Sequence, residues 1–108
     1  MEVKEYSEKA LSTATYGIGD KILYPVLGLN GEAGEVAEKV KKVLRDKNGV
    51  FDDEAKYDIA KELGDALWYI NATANDIGYT LEEIMEINIT KLLSRKSRGV
   101  INGSGDNR

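Results

Sequence analysis

The sequence predicts an all-α fold of four helices in a single domain, and three observations carry that expectation. Apolar residues recur at three- and four-residue spacing through most of the chain. Thr80 and Glu83 are spaced as a helix capping box. No stretch shows the two-residue alternation of a half-buried strand, and no unit repeats in the manner of a solenoid.

Each element can be justified in turn. Val3, Tyr6, Ala10, Leu11 and Ala14 lie at helical spacing, so residues 2–15 read as a first helix. The following YGIGDKILY carries two glycines and reads as a loop leading to Pro25, a residue suited to the first helical position. From there to about Arg45 the stripe Leu29, Ala33, Val36, Val40, Val43 and Leu44 marks a second helix, closed by the turn signal DKNG at 46–49. Asp52 and Asp53 open a third, whose stripe is Ile59, Leu63, Ala66, Ile70, Ala74 and Ile77, with Gly78 as its stop. Tyr79 and Ile84 sit at staple positions around the capping box, and a fourth helix runs from Leu81 to about Ser97. The domain therefore spans 1–98, and the polar, Gly-rich residues 99–108 read as a flexible tail unless a ligand or neighbouring subunit orders them. The short connection between helices two and three makes them an antiparallel hairpin.

Composition excludes several kinds of chemistry. The 108 residues are 42% hydrophobic and 31% charged, as expected of one globular domain. With no His and no Cys there is no thiolate nucleophile, no Ser-His relay and no nitrogen- or sulfur-ligated zinc site. A metal would be held by oxygen, which suits Mg²⁺, Mn²⁺ or Ca²⁺. The net charge of −4 argues against nucleic acid as a partner. No apolar run approaches the ~18 residues of a membrane span, and MEVKEYSEK is too polar for a signal peptide, so a cytoplasmic location with no membrane partner is expected.

Two acid pairs carry the chemistry. GEAGEVAE places Glu32 and Glu35 three apart, and KELGDALWY repeats the spacing with Glu62 and Asp65. Residues three apart on a helix are surface neighbours, so either pair could grip one cation. At roughly 100° per residue, each pair lies about 60° and 120° to the same side of its own apolar stripe. In an antiparallel hairpin, equal offsets of the same hand meet on one side of the seam. Glu32 also comes level with Asp65, and Glu35 with Glu62, about a turn near Asn48–Gly49. Four carboxylates converging at one level are unfavourable unless cations neutralise them, which points to a metal site rather than a solvated acidic face.

Other positions carry two readings. Asn88, Lys91 and Arg95 share the side of helix four that carries Leu81 and Ile84. The two cations either snorkel at a helix C-terminus or face the acid patch or a phosphate. Trp68, opposite the stripe of helix three, is either an interface anchor or a platform for a nucleobase; Tyr16, Tyr24 and Tyr69 are further stacking candidates. Gly34 and Gly64 each precede the second acid of a pair and lie about 140° from their stripes, so they face away from the hairpin and leave room for close backbone approach. Glu38 lies opposite the stripe of helix two, as a solvated residue would.

The ordered combination GEAGEVAE, KELGDALWY and then Asn88, Lys91 and Arg95 as N-x-x-K-x-x-x-R resembles the E-x-x-E…E-x-x-D pattern of the MazG-like, all-α nucleotide pyrophosphohydrolases, over roughly residues 22–98. The resemblance implies hydrolysis of a nucleoside triphosphate between its α and β phosphates, giving a monophosphate and pyrophosphate with Mg²⁺ or Mn²⁺. Matched by position, Glu32, Glu35, Glu62 and Asp65 would be metal ligands, with Glu35 and Glu62 also catalytic. Asn88, Lys91 and Arg95 would contact substrate, the two cations at phosphate oxygens, and Trp68 would border the substrate. It also implies a homodimer or homotetramer whose subunits complete one working bundle, consistent with the second apolar side that Ile87, Ile89 and Leu93 give helix four. Enzymatic alternatives are a phosphoribosyl-ATP pyrophosphatase or a pyrimidine-specific all-α nucleotide hydrolase. An alternative of another class is a non-catalytic helical oligomer that binds metal or a protein.

Overall fold

Two 24-residue helices dominate the chain in a computed structural model that describes residues 1–108. The elements are α1 (Val3–Leu11), α2 (Leu23–Asp46), α3 (Asp53–Asp76) and α4 (Leu81–Ser97), with one 3₁₀ turn at Ile18–Asp20. There is no strand, so the all-α expectation holds.

The hairpin is set by its turn. Asn48 and Gly49 adopt left-handed backbone angles, with φ of 52° and 75°, where an Asn-Gly pair is least costly. Asp52 then caps α3 by accepting a 2.9 Å hydrogen bond from the Ala55 N–H. α2 and α3 pack on each other more densely than any other pair of helices. At the far end of α3, Gly78 at φ 90° lets the Tyr79 N–H reach back to the Ala74 carbonyl at 2.9 Å, closing the helix. Thr80 and Glu83 form both halves of the capping box, and α4 starts at Leu81 as the sequence predicts.

The seam differs from the predicted stripe. On α2 the covered or half-covered positions include Pro25, Gly28, Leu29, Glu32, Val36, Val40 and Val43; on α3 they include Ala55, Ile59, Glu62, Ala66, Tyr69 and Thr73. Gly28 is required here, because a Cβ at that position would collide with the Tyr69 ring. Leu63 and Ile70, expected to be buried, are 54% and 36% exposed, and Leu67 joins them on an uncovered apolar face.

α1 packs across the other side of α3. Ser7 donates to the Asn71 side chain at 2.8 Å, Asn71 returns a bond to the Ser7 carbonyl at 3.2 Å, and Asn71 is almost fully buried. The helix ends at Leu11, before the predicted limit, and the loop after it is tied down from α3. Asp76 accepts from the Tyr16 hydroxyl and from the Ile22 N–H, both at 2.9 Å. Ile22 needs that support. With φ 69° and ψ −56° it is the centre of a γ-turn closed by the Leu23 N–H on the Lys21 carbonyl at 2.8 Å, a strained conformation for a β-branched residue.

α4 packs on α1 and α3 far less densely than α2 and α3 pack on each other, and just Leu81 and Arg95 along it are buried. The chain is correspondingly open. Its radius of gyration is 16.8 Å, whereas a compact domain of this length would have about 13 Å. The tail folds back on the helix that precedes it. Gly99, at φ 72°, turns it back so that the Val100 N–H bonds the Arg95 carbonyl at 2.9 Å, and residues 100–108 fold over the end of α4.

Candidate metal and phosphate site

The acid cluster follows from the hairpin register. Glu32 and Glu62 lie half-buried in the seam, and Asp65 is exposed at its edge one turn further along α3. One carboxylate oxygen from each falls within 4.8 Å of the other two. Glu35 is exposed and outside this group, so the structure brings together three of the four predicted acids. Glu35 lies about 60° round the helix from Glu32, and its charge still contributes to raising the Glu32 pKa.

The cluster is electrostatically frustrated. Burial raises the Glu32 pKa from its ordinary value, and the neighbouring Glu62 carboxylate together with the charges of Asp65 and Glu35 raises it further. No Lys or Arg forms an ion pair with Glu32, Glu35, Glu62 or Asp65; the chain's ion pairs lie elsewhere. An all-oxygen donor set with excess negative charge fits a hard divalent cation. A cation about 2.1 Å from each ligand spaces its oxygens by at most about 4.2 Å, so a small rotamer adjustment would close the group around one ion.

Beside the acids lies an open groove of about 380 Å³ lined by Thr13, Glu32, Asp65, Trp68 and Tyr69. Trp68 is held by its own chain: its indole N–H is 2.8 Å from the Thr13 hydroxyl and 3.0 Å from the Ala10 carbonyl. α1 thus covers part of the side of α3 that carries Trp68, which remains half-buried. The Trp68 ring meets Tyr69 edge-on at 5.0 Å, Tyr69 meets Tyr24 at 6.3 Å, and Tyr24 stacks on Tyr16 at 5.0 Å. An aromatic row thus runs from the acid cluster to the Asp76 strap. Burial and the neighbouring Tyr24, Glu32 and Asp65 raise the Tyr69 pKa, so its hydroxyl stays protonated.

The predicted phosphate-binding residues stand apart from the acids in the single chain. Arg95 is buried, donating to the Asp106 carbonyl at 2.8 Å, and Lys91 and Arg95 lie 3.9 and 3.7 Å from the Asp106 carboxylate. Asn88 is exposed beside Glu82, Met85, Glu86 and Ile89 in a groove along α4. Gly34 and Gly64 meet nothing that a Cβ would touch. Sequence reasoning missed Gly28, Asp76 and Asp106. Gly28 had a signal, lying one helical turn before Glu32; the other two had none.

The chain is thus an all-α protein whose helical hairpin carries an all-carboxylate cluster at its seam, a donor set suited to a hard cation. Residues 23–100 match the family model of the MazG nucleotide pyrophosphohydrolase domain, and the chain belongs to that family. It is also similar to the Gene 37 protein of Mycobacterium phage L5, with 49% identity over 114 residues and all of both chains covered. No solved structure matches the chain.

Proposed function

We propose that the protein is a Mg²⁺- or Mn²⁺-dependent pyrophosphohydrolase that cleaves a nucleoside triphosphate between its α and β phosphates, releasing a monophosphate and pyrophosphate. The observation that carries this reading is the group of Glu32, Glu62 and Asp65 oxygens within 4.8 Å, frustrated and without a basic partner, in a member of this family. These three residues would hold the cation. When bound, it neutralises phosphate charge and makes water a stronger acid. Glu35, exposed one turn along α2, is free to take the proton of the attacking water, since the chain has no His to do so. Glu62, central in the cluster, fixes that water relative to the α phosphate. Trp68 and Tyr69 border the groove where the nucleoside lies. Lys91 and Arg95 take up the charge developing on pyrophosphate, with Asn88 alongside.

This reading requires more than one copy of the chain. α4 leaves Met85, Ile87, Ile89, Leu92 and Leu93 exposed, and α3 leaves Leu63, Leu67 and Ile70 exposed, more apolar surface than a lone chain covers. A homodimer or homotetramer buries these faces and brings the cations of α4 to an acid cluster. Incubation with each NTP and dNTP plus Mg²⁺ tests the activity. Release of pyrophosphate that falls in Glu62→Gln supports it; no release from any nucleotide, or an unchanged rate in Glu62→Gln, overturns it.

A further inference from the structure

The tail occupies the two cations that the proposed reaction assigns to phosphate. Arg95 is only 6% exposed because residues 100–108 lie over it. Its guanidinium donates to the Asp106 carbonyl at 2.8 Å, and the Asp106 carboxylate stands between Lys91 and Arg95 at 3.9 and 3.7 Å. An acid held between a Lys and an Arg takes the place a phosphate group would take. The loop is closed on itself. Arg108 donates to the carbonyls of Val100, Ile101 and Gly105 at 3.1, 2.8 and 2.6 Å. Gly99, Gly103 and Gly105 all have positive φ, so the segment turns at three points that favour glycine.

The strength of this contact decides what it does. The Asp106 side chain is 91% exposed and both of its ion pairs are long, so each contributes little in water. A triphosphate brings several charges to the same two cations and displaces one solvated carboxylate. We propose that residues 100–108 are an internal competitor, in which Asp106 screens Lys91 and Arg95 until a polyphosphate displaces it and releases the tail. This rests on the reading of Lys91 and Arg95 as phosphate-binding residues, and it adds a regulated state to that site.

The test is binding of inorganic tripolyphosphate to the full-length protein in metal-free buffer, measured by calorimetry. Asp106→Ala should bind about 2- to 5-fold more tightly than wild type, the range that one weak ion pair allows. Arg108→Ala, which opens the loop without touching either cation, should bind more tightly as well. In a Lys91→Ala background the gain from Asp106→Ala should shrink. Hydrogen exchange at residues 100–108 should quicken when tripolyphosphate is added. Unchanged or weaker binding in both Asp106→Ala and Arg108→Ala, or slower exchange of the tail with ligand, overturns the proposal. If Lys91→Ala has no effect on binding in any background, the phosphate role of that residue fails and the competitor falls with it. If Lys91→Ala weakens binding but the tail variants gain nothing, only the competitor falls.

Discussion

The α2–α3 hairpin and α4 are made of similar proportions of apolar residues and end up in opposite conditions. The hairpin covers its own seam, fixes Glu32 and Glu62 within it, and carries α1 on its far side. α4 has a well-formed cap at its start and almost nothing packed along its length. Local signals suffice to make a helix, whereas covering it needs a second surface. The hairpin therefore carries a preformed acid cluster, while α4 carries cations and an apolar face that the single chain leaves uncovered.

The sharpest way to break this contrast is at the hairpin. Glu62→Gln removes a central carboxylate of the cluster, and pyrophosphate release should fall by roughly 100-fold or more, as loss of a few kcal/mol of charge stabilisation requires. The fold should survive, because one carboxylate fewer relieves repulsion beside Glu32. A steady rate would show that the hairpin is not the catalytic half.

The corresponding attack on α4 is the double substitution Ile89→Glu and Leu93→Glu. These residues lie one turn apart and are 50% and 56% exposed in the single chain, so a monomer should tolerate the charges. A packed interface should not, because burying an unpaired charge is costly. Light scattering should show the mass falling to that of one chain, with helix content retained. An unchanged mass would mean that this face of α4 is not the interface.

The same contrast explains what the sequence could reveal. Helix order, the Asn48–Gly49 turn and the Thr80–Glu83 box were legible because each depends on residues within one or two turns. The convergence of Glu32, Glu62 and Asp65 was legible because antiparallel packing follows from a short loop. The rotation of the seam was not. Leu63 and Ile70 have the spacing of a core stripe, and periodicity cannot tell a face covered by the same chain from one left for another. Counting them as core displaced the predicted seam, and Glu35 lies outside the group of acids within 4.8 Å although its charge acts on Glu32. Asp106 was illegible for a different reason: its contact depends on how a Gly-rich loop folds back, which periodicity does not encode.

Glycines sharpen the comparison at smaller energies. Gly28→Ala would drive a methyl group into the Tyr69 ring, so denaturant unfolding should show a loss of about 1–3 kcal/mol, partly offset by a helix-propensity gain of up to about 1 kcal/mol. Gly34→Ala and Gly64→Ala meet open space and should gain that propensity without penalty in the chain alone. If they lower activity or assembly while raising helix stability, the open side of the hairpin is where substrate or another copy approaches. If activity and assembly are untouched, those glycines have no such purpose.

The smallest effect concerns the strap that joins the aromatic row to the end of α3. Tyr16 is half-buried and donates to Asp76, and burial followed by that carboxylate pushes its pKa up to about 12 from an ordinary value of 10.0. The folded state therefore favours the neutral phenol. Its contribution is fully present below pH 10.0 and is lost as pH rises through about 12, where an ionised phenolate would face the Asp76 carboxylate. Tyr16→Phe should cost about 1 kcal/mol at neutral pH, as loss of one hydrogen bond does. Above pH 10 the difference between wild type and Tyr16→Phe should narrow, and unfolding midpoints measured in parallel across that range would show it. A constant difference would mean that Asp76 holds the strap through the Ile22 N–H alone, leaving Tyr16 as a stacking partner for Tyr24.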